Sequence, residues 1–345
     1  MINFRFHLVS LIAVFLAVGL GILVGSTVVD QKIVNRLDSE IKHANKENSQ
    51  RKAQSKVLDD QNKQLQQFVG LTAPYVADAR LDGDSVAIIA ERGVSDSDVK
   101  ATESLLRGAG ADVPGILWLD DSWKLDTPKR VQDLETALRV HGTTTVVRDQ
   151  ALDLLARRLS KAPAAARVAG HGSTTSSTEE SRRASSSTAR TTTSTTHPKP
   201  AGIDALAALE AAGFVSVADG SSSDFDAFPA QVARVLVITG DDSVFAGSDL
   251  TSAFARSLTR ANLPTVVAAV YDDGGSTASS APKRGAALAS ILDDRVLGKS
   301  VSTVDDLDLV AGQVGAVLAL EVVGNGTNGH YGYGTGASAP LPPHP

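Results

Sequence analysis

Three aspartate pairs carry the densest chemistry in the sequence: Asp120-Asp121, Asp241-Asp242 and Asp272-Asp273. Each follows a short apolar run that reads as a β-strand. Carboxylate oxygens are hard donors, and in an open parallel sheet the carboxyl ends of the strands converge on one crevice. The six carboxylates therefore have the chemistry of a cation site. Aspartate is also favoured in turns and at helix N-caps, which places it at the same positions with no ligand at all. Other site chemistry fails on context. Gly324, Gly326 and Gly329 fit GxGxxG, but they follow a predicted helix and lead into a Gly-rich tail instead of forming a strand-turn-helix. Gly298-Lys299-Ser300 matches the end of a phosphate-binding loop, yet Asp293 stands where that loop needs its first glycine. There is no HExxH and no GxSxG, the seven histidines are scattered, and nothing argues for an enzyme.

The elements that must position the aspartates alternate along the chain. Val86 to Ala90 reads as a strand, and Ser95 caps a helix to about Arg107 that Gly108 and Gly110 end. Ile116 to Leu119 is the next strand, Thr127-Pro128 opens a helix to about His141, and Val146-Val147 precedes a helix from Asp149 to Leu159. The alternation resumes with a helix from Ile203 to Ala212 and strands at Phe214 to Ala218 and Val235 to Thr239. A helix from Ser248 to Ala261, a strand from Thr265 to Tyr271, and helices at Gly285 to Leu292 and Asp308 to Val323 complete it. Val235 to Ile238 and Val266 to Val270 are apolar on both faces, which suits parallel strands covered by helices on each side. The expected fold is α/β: an open, doubly wound, mostly parallel sheet in two parts, residues 80–159 and 201–324, with a Gly/Pro-rich tail over 325–345.

Composition limits the rest. With 33 Lys and Arg against 39 Asp and Glu the net charge is −6, too acidic for whole-surface attraction to nucleic acid, which is not expected as a partner. Cys 0 excludes disulfides, thiolate metal sites and a cysteine nucleophile, and the single Met is the first residue. Between 160 and 200 the composition collapses into Ser and Thr, 17 of them in the 24 positions from Ser173 to Thr196, from which no core is built. That insertion is expected to be disordered. Six basic residues against two acidic ones give it a charge of +4, enough to touch anionic envelope polymers or lipid, although such stretches are more often plain solvated loops.

The amino-terminal part points to a membrane. Leu8 to Val29 is 22 residues without a charge, and at ~1.5 Å per residue a helix of that length crosses a ~30 Å hydrocarbon core. A cleaved signal peptide is the competing reading, but its apolar core runs to only ~7–15 residues. Residues 1–29 are thus expected to be a retained single-pass anchor, with the bulk of the chain outside the cytoplasm, in either membrane of the envelope. Lys32, Arg36, Lys42 and Lys46 after the span weigh against that orientation, and the short basic tail at Arg5 favours it. Ala17, Gly21 and Gly25 put small residues on one helix face. Over 30–72 a heptad register follows, with Val34, Ile41, Asn48, Ser55, Asn62 and Val69 at a, and Leu37, Ala44, Arg51, Leu58 and Leu65 at d. A weak coiled coil giving a homo-oligomer through 30–70 is expected, and a lone solvated spacer helix is the alternative.

Four segments carry a resemblance. The start, Ile2-Asn3-Phe4-Arg5-Phe6-His7-Leu8-Val9-Ser10-Leu11 through Gly25-Ser26-Thr27-Val28-Val29-Asp30, is followed in order by Val301 to Asp305, by Gly312-Gln313-Val314 leading to Leu318-Ala319-Leu320, and by Gly329-His330-Tyr331-Gly332 with Gly334 to Ala337. Together they closely resemble the actinobacterial copper transporter family called MctB. The resemblance implies a membrane-associated envelope protein of copper homeostasis, described in that family as an outer-membrane channel that lowers internal copper. Outer-membrane barrels need ~10-residue alternating strands and aromatic girdles, whereas this chain has an apolar helix and strands apolar on both faces. Copper(I) prefers Cys and Met, so a direct ligand set here has to come from the six aspartates or from tail His330 and Tyr331, and would suit copper(II). A component of copper transport or homeostasis is therefore one expectation. An anchored, non-enzymatic scaffold of the envelope acting through coiled-coil self-association is the other.

Overall fold

A computed structural model describes residues 4–160, 204–218, 231–270 and 285–343, with backbone alone over 26–32. The chain divides into two units, residues 1–67 and 68–345. The first is helix α1 (Phe4–Ala77), whose final turns, beyond residue 67, belong to the second. Its apolar span Phe4–Gly25 is long and apolar enough to cross a membrane and is wholly exposed within the chain. From Ile33 to Phe68 α1 is also exposed, and ion pairs four residues apart (Arg36–Glu40, Asp38–Lys42, Glu47–Arg51) lace its surface.

The second unit is a seven-stranded sheet in the order β3-β2-β1-β4-β5-β6-β7. The strands are β1 (Val86–Glu91), β2 (Ile116–Leu119), β3 (Val215–Ala218), β4 (Arg234–Gly240), β5 (Thr265–Val270), β6 (Ser302–Val304) and β7 (His330–Tyr331). All neighbours are parallel except β2 and β3. The helices are α2 (Asp96–Gly108), α3 (Pro128–Leu138), α4 (Thr144–Ser160), α5 (Ala205–Ala211), α6 (Leu250–Arg260), α7 (Ala286–Asp293), α8 (Leu297–Ser300) and α9 (Val310–Gly324). Side chains on a strand alternate between faces, so β1 feeds two cores. Ala87 and Ile89 join the side covered by α3 to α7, whereas Val86, Ile88 and Ala90 join the side covered by α2, α9 and the end of α1. Fully burying a Leu, Ile or Val side chain stabilises by about 1.5–3 kcal/mol, so the doubly buried strands dominate the stability of this unit.

Local signals do as their chemistry dictates. Ser95 Oγ accepts from the Asp98 N–H at the start of α2, and Thr127 Oγ1 from the Arg130 N–H ahead of the Pro128 that opens α3. Two sequence expectations need correction. Val146 and Val147 lie inside α4, which starts at Thr144. Ser302–Val304 and His330–Tyr331 are strands, too short and too polar to show as apolar runs. Phe214 to Ala218 supplies the one antiparallel strand of the described sheet, turning back beside β2 after Gly213, whose φ of 71° suits a residue without Cβ. The Ser/Thr-rich insertion lies outside the described residues.

Candidate functional site

In an open α/β sheet the ligand crevice opens where the strand order reverses. Here β1 is followed by β2 on one side, while β4 lies on the other, so the reversal falls between β1 and β4. The residue at that point is Glu91, the last of β1 and fully buried. Three hydroxyls reach its carboxylate: Thr239 Oγ1 at 2.7 Å, Ser243 Oγ at 2.5 Å and Thr251 Oγ1 at 2.5 Å. They come from β4, from the loop after it and from α6. Burial pushes the Glu91 carboxyl above the ordinary range, against the three hydroxyl donors that pull it down. No charged neighbour enters among the causes of that shift. The loops above are in contact: the Val244 N–H donates to the Arg92 carbonyl at 2.8 Å, and at Gly93 a Cβ would collide with the Asp242 carbonyl. The crevice is therefore closed by backbone against backbone, with Glu91 tying its floor.

The two described aspartate pairs follow strand ends, and the side chains of Asp120 and Asp121 are engaged separately. Asp120 Oδ1 accepts from Arg92 Nε at 2.7 Å and from Ser216 Oγ at 3.2 Å, while the Arg92 guanidinium lies 4.8 Å from the Trp118 ring centre. Asp121 pairs with Arg130, whose Nη2 lies 3.2 Å from its Oδ2. Asp241 sits beside Gly285 at the start of α7, and Asp242 meets Gly93 through its carbonyl. Asp272 and Asp273 lie outside the described residues. His330 is on β7, where its Nδ1 is 2.9 Å from Thr303 Oγ1, and Tyr331 beside it is buried. Three strand spacings, roughly 14 Å, separate β7 from β4, so histidine and the described aspartates do not converge. Among the described residues no group of three or more His, Cys, Asp or Glu is arranged to hold a metal ion. The described donors thus do not fit a resident copper centre.

A second arrangement went unread in the sequence, although its parts did not. Asp305, just past β6 and 1% exposed, accepts the Tyr333 N–H on Oδ1 and the Gly334 N–H on Oδ2, both at 2.8 Å. At Gly332, with φ 123°, a Cβ would fall on the Asp305 carboxyl, and at Gly312 it would fall on the Asp306 carbonyl. Gln313 Nε2 donates to the Leu307 carbonyl at 3.2 Å. The segments 301–305, 312–313 and 329–334 therefore meet around one carboxylate. The only sequence signal was Gly332 and Gly334, which stand in the tail segment that carries the family resemblance.

Beside it, the half-buried Asp306 is pushed up to about 7, first by burial and then by the Asp305 carboxyl next to it. An unfolded carboxyl titrates near ~3.9, so between there and about 7 the folded state holds more protons than the unfolded one, and stability falls as pH rises. Asp306→Asn should flatten that slope, leaving the variant ~2–4 °C more heat-stable than the parent at pH 8 and little different at pH 4. Thermal unfolding across that pH range checks it, and parallel curves for the two proteins would contradict it.

Residues 1–342 match the family described as copper transport outer membrane protein, MctB. Relatives named copper transporter MctB in Mycobacterium bovis (strain ATCC BAA-935 / AF2122/97) and Mycobacterium tuberculosis (strains CDC 1551 / Oshkosh and ATCC 25618 / H37Rv) are each 26% identical over 348 residues. Each alignment covers 98% of this chain and 98% of the relative.

Proposed function

The chain belongs to the MctB family of copper transport outer membrane proteins, and from that premise we propose that it is a membrane-anchored, non-enzymatic envelope protein of copper homeostasis. The observation that carries this reading is the match over residues 1–342, which includes the anchor and the tail as well as the sheet. The 22-residue span Phe4–Gly25 supplies the anchor in this reading, and the sheet domain lies outside the cytoplasm. Copper is cargo in this scheme and not a resident cofactor, because sulfur ligands are missing from the sequence beyond Met1 and the described carboxylates are tied to arginines and hydroxyls. The described strands form an open sheet buried on both faces, which lines no pore, so the domain acts on copper passage through assembly. Self-association through 30–70 provides that assembly. Its seam residues Val34, Leu37, Ile41, Leu58 and Leu65 are each half or more exposed in the single chain. Asn48 and Asn62 at a favour two parallel strands. The basic stretch over 160–200 then faces anionic polymers of the envelope.

The test is copper content and copper tolerance of cells lacking this chain, with fractionation of the membranes. Loss of the chain should raise cellular copper and lower tolerance. The full chain should restore both, and residues 33–345 alone should not. Unchanged copper content in the deletion strain would overturn the copper reading and leave the scaffold.

A further inference from the structure

We propose that the dimer seam set by residues 34–69 continues without a change of register through the membrane span, so that Leu16, Leu20 and Leu23 form the membrane half of one parallel interface with a second copy of this chain. The inference rests on the self-association reading above and goes beyond it by naming the face used within the bilayer. Helix α1 is unbroken from Phe4 to Ala77, with its one proline at Pro74, so nothing between the two halves resets the phase. Counting back by sevens from Val34 puts Thr27, Leu20 and Ala13 at a, and counting back from Leu37 puts Asp30, Leu23, Leu16 and Val9 at d, so the repeat is polar for the one heptad where the span ends and apolar again within the span. A straight helix drifts ~20° per heptad from that repeat, hence about 40° over the two heptads from Val34 to Leu20, which still leaves the leucines on the seam side. The surface agrees: Ile12, Leu16, Gly19, Leu20 and Leu23, together with Phe15, border one dent at Gly19, where nothing lies within 4 Å of a would-be Cβ. A dent flanked by leucines on the seam is the shape that receives a leucine from a like helix.

The occupant is a second, parallel copy because the flanking charges permit it. Pairing each g position with the partner's e position five residues on sets Glu40 against Asn45, Glu47 against Lys52, Gln54 against Asp59 and Gln61 against Gln66, with one attractive pair and no like-charge pair. Of the two charges the register puts at d, Arg51 is already held by Glu47 of its own helix at 2.7 Å, so it does not enter the seam bare, and Asp30 falls beyond the apolar span that ends at Gly25. The small residues behave differently. Gly21 lies about 130° round the helix from the centre of this seam and Gly25 about 180°, so these two glycines point away from the partner, while Ala17 is an e position at the seam's edge.

The sequence contains no cysteine, which makes single-cysteine cross-linking clean in the full chain in its own membrane. Leu16→Cys, Leu20→Cys, Leu23→Cys, Val34→Cys and Leu37→Cys should give covalent dimers on oxidation, at least fivefold above Gly21→Cys and Gly25→Cys. Cross-links at Val34→Cys and Leu37→Cys accompanied by none in the span, or by links at Gly21→Cys and Gly25→Cys instead, would overturn the shared register while leaving the coiled coil. No cross-links at any position, under conditions that link a cysteine pair in a control membrane dimer, would overturn both.

Discussion

Gly332→Val should cost the sheet domain about 3 kcal/mol or more, a loss large enough to lower the yield of folded protein. Two effects add. A φ of 123° is a conformation that a β-branched residue adopts only under strain. The new side chain would also occupy the place of the Asp305 carboxyl, which is 1% exposed and has no room to retreat. Displacing that carboxyl leaves the Tyr333 and Gly334 N–H groups without their acceptor, and each unsatisfied group costs about 1–3 kcal/mol if it stays buried. Gly326→Ala is the control, since Gly326 also has a positive φ, 82°, but nothing within 4 Å of a Cβ, so it should cost only ~1 kcal/mol. Denaturant unfolding of the detergent-solubilised chain measures both. Equal losses for the two variants would show that backbone strain alone matters and that the clamp on Asp305 does not.

The second large effect belongs to Glu91. Glu91→Ala removes the shared acceptor of Thr239, Ser243 and Thr251 and leaves a hole in a fully buried site, so a loss of roughly 3–4 kcal/mol is expected. Glu91→Gln should behave quite differently. Hydroxyls both donate and accept, so they can turn to meet an amide of the same shape, and the variant should fold with near-parental stability near pH 4 and greater stability than the parent at neutral pH. Its pH dependence carries the sign. The folded state keeps the Glu91 proton above ~4.3, where the unfolded chain releases it, so the parent loses stability as pH rises from there toward the raised folded value. Glu91→Gln lacks that contribution. Unfolding curves from pH 4 to 9 in the Asp306→Asn background isolate it from the carboxyl pair near the tail. If Glu91→Gln loses as much as Glu91→Ala, the charge itself is required, and the group is ionised in its site.

Much of the fold was written in local pattern, and the exceptions have physical causes. Val235 to Ile238 and Val266 to Val270 could only be doubly buried strands, and Ser95 and Thr127-Pro128 marked helix starts through backbone N–H groups that need an acceptor. The direction of β3 was not legible, because an apolar run of four residues carries no information about which way it is traversed. Strands β6 and β7 exist through pairing and not propensity: Thr303 pairs with His330 and Val304 with Tyr331 across 27 residues of chain. The candidate site was harder to read. A glutamate at the end of an apolar run resembles the exposed end of a strand, and its three partners lie 148 to 160 residues away. Asp120-Asp121 and Asp241-Asp242 follow strand ends, but Arg92 and Arg130, which engage Asp120 and Asp121, carried no pattern that would have announced it.

The position of β1 also governs how this domain is assembled. Its partner β4 starts at Arg234, which pairs with Val86, so the two central strands meet only after a loop of 148 residues closes. Lengthening that loop is cheap, about 0.6 kcal/mol per doubling, which explains how a 41-residue Ser/Thr-rich stretch can sit inside it. Folding speed is another matter, since contacts between residues distant in sequence slow the search. A nascent chain holds β1 with one edge bare until more than 230 residues have been made, and an apolar strand with an open edge is an aggregation template. Cells short of general holding factors should therefore lose this protein before they lose proteins built from local contacts, which pulse-labelling of its soluble and aggregated fractions checks.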